Sequence, residues 1–294
     1  MKYELKNEDL ALGIDSLGAE MIYLTSSRTE QNYLWNRDEK FWKRSSPILF
    51  PSVGTMRNQQ YSYQKKVYSM PQHGFARDME FDCISENAEE IWFQTEANAK
   101  TREYYPFEFK LKIGYRLEKN DVTVMWTVVN DDDKDTLYFS IGAHPAFACP
   151  LKDGEKQSEY SVWMNARNDG VLFSHINKDA LMYNYKNELH LSKGRHPLAE
   201  GFFDEGAYII EDYQVSQVSL VNPENKPYVT VSFDAPLFGL WSPEKKNAPF
   251  VCIEPWYGRC DRATYDGPLQ TREWGNKLAP GKEFKRQYTI TIDP

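Results

Sequence analysis

Residues Phe107–Val129 read FEFKLKIGYRLEKNDVTVMWTVV. Phe107, Phe109, Leu111, Ile113, Tyr115 and Leu117 occupy every second place, and Glu108, Lys110, Lys112, Arg116 and Glu118 lie between them. A two-residue period means one face buried and one wet, which is the signature of a strand. Lys119-Asn120-Asp121 supplies a turn, and Val122, Val124, Trp126 and Val128 return on the same rule. The stretch predicts an antiparallel hairpin, with Phe107–Leu117 paired to Val122–Val129.

Working outward, shorter runs with strand character recur. Tyr3–Ile14 and Ala19–Leu24 read as an opening hairpin, and Tyr61–Tyr68 as a strand pair around Gln64-Lys65. Further strands are expected at Tyr160–Met164, Tyr208–Ile210, Val215–Val221, Tyr228–Phe233, Phe250–Ile253 and Phe284–Ile292. Helical periodicity is scarce, with a single turn expected at Asp38–Arg44. There is no composition break, linker or repeat. The reading is all-β: one large antiparallel β-sandwich domain over residues 1–294.

The bulk numbers exclude several roles. A net charge of −8 argues against nucleic-acid or anionic-membrane surfaces. No apolar run is long enough to span a membrane, and MKYELKNEDLAL carries no apolar signal region, so a cytoplasmic protein is expected. Cys83, Cys149, Cys252 and Cys260 lack metal-ligand spacing and read as free thiols. Aromatic residues make up 15% of the chain, a share that suits both a β-rich core and sugar faces.

Three stretches carry chemistry. In Ile141–Pro150, IGAHPAFACP, Pro145 pushes His144 toward extended backbone, and Gly142 and Ala143 let other groups approach its ring. Pro71–Asp78, PQHGFARD, places His73 before a glycine with Arg77 close behind. Val251–Asp261, VCIEPWYGRCD, places Glu254 at the end of an apolar run before Pro255. Each has a titratable residue at a strand end against Gly or Pro. Three readings follow. His73, His144 and Glu254 could form a two-His, one-carboxylate metal site. Glu254 and a histidine could act as general base and acid. Glu254 could instead be structural, paired with Arg259 or Arg262, with Trp241, Trp256 and Trp274 as core. His175, His190 and His196 and the Lys245-Lys246 turn read as solvated.

Taken together, LGAEM, LWNRDEKFW, SPILFPSVG, QHGFARD, IGAHPAF, LWSP and CIEPWYG resemble, in order and spacing, the aldose 1-epimerase (galactose mutarotase) family, and most closely its LacX-like bacterial branch. The resemblance implies a β-supersandwich, monomeric or homodimeric, needing no metal or cofactor and interconverting the α and β anomers of a free aldose. It implies Glu254 as base at the C1 hydroxyl, His144 as acid at the ring oxygen, and His73 assisting there. Arg57 matches a substrate-hydroxyl ligand, and Arg77, which belongs to the same motif set, is a further candidate substrate-binding residue. Trp241 is a candidate stacking face. Where many relatives carry a sugar-binding aspartate, this chain reads FFDEGAYII. Gly206 falls at the expected place, leaving Asp204 as the candidate substitute. A hexose-6-phosphate 1-epimerase and a non-catalytic sugar-binding protein remain as alternatives; the former would need two or more cations around the phosphate.

Overall fold

The computed structural model describes residues 1–293. The hairpin forms as read. Strand β1 spans Phe109–Glu118 and β2 spans Asp121–Asn130, in a register that sets Ile113 opposite Trp126 and Leu111 opposite Val128. Four strands matter for the site: β3 (Ile141–Ala143), β4 (Ala146–Ala148), β5 (Leu237–Trp241) and β6 (Phe250–Tyr257). Strand β7, Glu283–Ile292, pairs with β2 on the side away from β1.

Two large antiparallel sheets result. The nine-stranded sheet runs Arg195–Pro197, Ser161–Met164, Gln217–Val221, Pro227–Phe233, β7, β2, β1, Glu90–Glu96, Asp82–Glu86. The eight-stranded sheet runs Asn187–His190, Gly170–Ser174, Tyr208–Ile210, β5, β6, β3, Ile48–Leu49, with β4 also on β6. Their facing sides share one core. Phe233 of the first meets Phe238 of the second at a 5.5 Å ring separation, and Phe50 meets Phe109 at 5.1 Å. This is the expected antiparallel sandwich.

Two readings need correction. The amino-terminal segment forms three strands, Lys2–Lys6, Leu10–Asp15 and Glu20–Ser26, because the Asn7 side chain accepts the Asp9 and Leu10 N–H groups and turns the chain. Strand β6 also runs on through Pro255 to Tyr257, so Glu254 lies within a strand rather than at its end. A proline costs a central strand one ladder donor. Here Pro255 lies opposite Ala143, whose carbonyl instead accepts the indole N–H of Trp256 at 3.2 Å.

Strand β6 is buried on both sides. Val251, Ile253 and Tyr257 join the sandwich core, while Cys252 and Trp256 belong to two separate clusters on the opposite face. Alternation thus sends Glu254 to that outer face with its even-numbered neighbours. The core draws on residues from Leu5 to Ile292, and we propose that the chain unfolds as one unit. Urea titrations followed by tryptophan fluorescence and far-ultraviolet circular dichroism should superimpose. Two separated transitions would show two independent domains.

Candidate functional site

The outer face of the eight-stranded sheet floors a cleft of about 420 Å³, within the ordinary range for small-molecule sites. Its centre follows from register. Strands β3 and β4 pair with the same edge of β6, Gly142 opposite Trp256 and Ala146 opposite Cys252. The His144-Pro145 break between them keeps that register, so His144 falls opposite Glu254. Directly opposed residues project to the same face, and His144 Nε2 lies 3.3 Å from Glu254 Oε2. On the other edge Glu254 faces Gly239, and on the first Trp256 faces Gly142. Both glycines are occupied from above by the indole of Trp256, which leaves no room for a Cβ. Such an atom would come within 2.6 Å of the ring at Gly239 and 2.5 Å at Gly142.

His73 enters from the PQHGFARD turn with left-handed backbone, φ 66°, unusual for a residue with a Cβ. Its N–H donates to the Gly54 carbonyl at 2.9 Å, and its Nδ1 accepts the Gly54 N–H at 3.1 Å. An Nδ1 that accepts leaves the ring proton of neutral His73 on Nε2, a fixed donor. The His73 and His144 rings meet edge to face at 5.6 Å. Trp42 lies over His144 at 4.7 Å, and Trp241 meets it edge-on at 5.3 Å.

Burial sets the electrostatics. Glu254 is 1% exposed, and burial pushes its carboxyl well above the ordinary 4.5, with Trp256 opposing. Burial, with Arg77 and Arg44 adding repulsion, takes the His144 imidazole down to about 3. Burial likewise lowers His73, helped by His144. Burial thus favours the neutral form of both Glu254 and His144. Glu254 Oε2 and His144 Nδ1 are both buried without a hydrogen-bond partner. Such groups are costly in a merely structural setting.

The structural reading of Glu254 required an arginine. Arg259 instead pairs with Glu211 at 2.6 Å and with Glu273, and Arg262 pairs with Glu273 at 2.9 Å. The two-His metal reading is not reproduced either. Among the described residues the group close enough to share an ion is His144, Cys252 and Glu254, while His73 Nδ1 is engaged by Gly54.

Of the remaining expected site residues, Arg77 and Trp241 line the cleft. Arg77 donates to the Gln72 carbonyl at 2.7 Å, and its Nε is buried without a partner. Arg57 and Asp204 do not reach the cleft. The Arg57 N–H is held by Asp261 at 2.9 Å, and its guanidinium turns outward to the Tyr265 carbonyl at 3.2 Å. Asp204 accepts the Lys245 N–H at 3.2 Å beside a different hollow. Among the lining residues that were not anticipated, Trp42, Gln72, Glu244 and Lys246 bring aromatic, polar or charged groups. Lys246, read as part of a solvated turn, stands on the rim. His175 is half-buried rather than solvated, its Nδ1 3.0 Å from the Ala207 carbonyl.

The family model for aldose 1-epimerase matches residues 1–266, and the chain belongs to that family. It is 29% identical to the chromosomal protein LacX of Lactococcus lactis subsp. lactis, over 99% of both chains. A galactose mutarotase related enzyme from Lactobacillus acidophilus superposes with a TM-score of 0.92 at 34% identity, covering 100% of this chain and 98% of that one. A galactose mutarotase-like protein from Lactobacillus casei superposes at 0.93 with 30% identity and full coverage of both.

The buried carboxyl of Glu254 predicts a stability signature. A carboxyl raised in the folded state costs stability once pH rises above its unfolded value, because only the unfolded chain ionises freely there. Glu254→Gln should therefore melt at higher temperature than wild type above about pH 4.5, the ordinary glutamate value. The gap should widen with pH and close below that value. Thermal melts across pH 4 to 8 that show no pH-dependent gap would contradict the assignment.

Proposed function

We propose that the cleft opens and recloses the ring of a free aldose, exchanging its α and β anomers. One observation carries this reading: His144 and Glu254 meet at 3.3 Å in a walled cleft. Anomer exchange removes a proton from one oxygen of C1 and delivers one to the other. Two oxygens on a single carbon need an acid and a base placed side by side.

The proton balance is complete without another reactant. Between the low value of His144 and the raised value of Glu254 the pair holds one proton. With that proton passed to His144, the Glu254 carboxylate takes the C1 hydroxyl proton. The electron pair left on that oxygen forms the carbonyl, the C1–O5 bond breaks, and O5 takes the proton from His144. Rotation about C1–C2 presents the other carbonyl face. O5 then attacks C1, returning its proton to His144, and the carbonyl oxygen recovers its proton from Glu254. His73 offers its fixed Nε2–H beside His144, suited to holding the ring oxygen. Trp42, Trp241 and Trp256 give apolar faces for the sugar's C–H surface.

Polarimetry on fresh α-glucose, α-galactose and glucose 6-phosphate tests the activity. Glu254→Gln keeps the side-chain size but cannot accept the proton. With the best substrate its turnover should fall by about 10²-fold or more, with binding retained by calorimetry, and His144→Asn should behave alike. Near-normal turnover in the Glu254→Gln variant would overturn the mechanism.

A further inference from the structure

The cleft carries a second carboxylate that the acid–base pair does not use. Among its lining side chains only Glu254 and Glu244 are acidic. Glu244 follows the LWSP stretch on an exposed rim turn. Its Oε1 lies over the backbone of Gly206, 3.0 Å from where a Cβ would stand. The nearest other atoms to that point are Glu244 Cδ at 3.8 Å and Ile176 Cγ1 at 3.9 Å. Gly206 has φ +93°, a conformation that side chains disfavour, so the bare backbone there makes room for the carboxylate. Ile176 and Ala207 line the cleft beside it.

The cations divide differently. Arg77 lies four residues beyond His73 on the PQHGFARD turn and lines the cleft with it, at the acid–base end. Among the described residues Lys246 is the one lysine lining the cleft, exposed and two residues from Glu244 on the same turn. A phosphate at that rim would meet one flexible ammonium and one carboxylate, not the converging cations that phosphate recognition uses. Neutral hydroxyls can donate to the carboxylate without penalty.

We infer that Glu244 is the specificity residue of the cleft: it accepts hydrogen bonds from sugar hydroxyls remote from the anomeric carbon, and it selects an unphosphorylated aldose over the 6-phosphate. The inference rests on the reading of the cleft as an aldose site. Its test is binding rather than turnover, so the two can fail separately.

Titration calorimetry would compare glucose, galactose and glucose 6-phosphate on wild type and Glu244→Gln. A charged hydrogen-bond acceptor contributes about 1.5–3 kcal/mol, roughly tenfold or more in affinity. Wild type should bind a free aldose more tightly than the 6-phosphate. Glu244→Gln should weaken the free aldose about tenfold and leave the 6-phosphate unchanged or tighter. A purely structural role would weaken all ligands alike and would overturn the inference, as would tighter wild-type binding of the 6-phosphate. Turnover by a wild type that shows either result would leave the epimerase reading standing. Glu244-dependent binding without turnover would leave the inference standing and remove the epimerase reading. Absence of sugar binding by the wild type would remove both.

Discussion

The site depends on a carboxylate held in a strand with no cation to neutralise it. Strand β6 is buried on both faces, and its alternation sends Val251, Ile253 and Tyr257 into the sandwich and Glu254 out to the cleft floor. A one-residue slip would exchange those faces. The bulky odd-numbered side chains in the core therefore fix where the carboxylate points. Its only ionisable partner within salt-bridge distance among the described residues is His144, set opposite it by the interrupted strand on the neighbouring edge.

Folding alone gives no reason to keep this arrangement. Burial raises one member of the pair and lowers the other, and each leaves a polar atom unpaired. Elsewhere the chain treats buried charge conventionally: Glu20 accepts two backbone N–H groups, and Arg272 is matched by Asp261 at 2.6 Å. The contrast sets the His144–Glu254 pair apart as buried titratable groups left without compensating partners, the pattern expected where such groups are kept for function rather than for folding. Aromatic rings crowd the pair: Trp42 lies over His144 at 4.7 Å, Trp241 meets it at 5.3 Å, and Trp256 covers the glycines beside it.

Much of this was legible in the sequence. The Phe107–Val129 alternation gave the central hairpin because a period of two has no helical counterpart. His144 was readable because a proline and small residues mark a break in extended backbone. Pro255 misled, since it reads as a strand end. Its missing hydrogen bond is replaced by the indole of the next residue, a long-range contact that local pattern does not encode. Arg57 and Asp204 lie outside the cleft lining for a related reason: motif position fixes the backbone, but partners far along the chain decide where each side chain turns. Glu244 and Lys246 lie in a polar turn that looks solvated, and only the fold brings that turn over Gly206. Trp42 carried a weak signal, an aromatic pair inside a polar stretch.

In the proposed reaction His144 and Glu254 grip two oxygens on one carbon. A crystal structure of the Glu254→Gln variant with its best aldose tests this most directly. The anomeric hydroxyl should lie within about 2.6–3.2 Å of the carboxamide at position 254 and the ring oxygen within the same distance of the His144 imidazole. A sugar bound with its anomeric carbon toward the Glu244 rim, or outside the cleft, would contradict it.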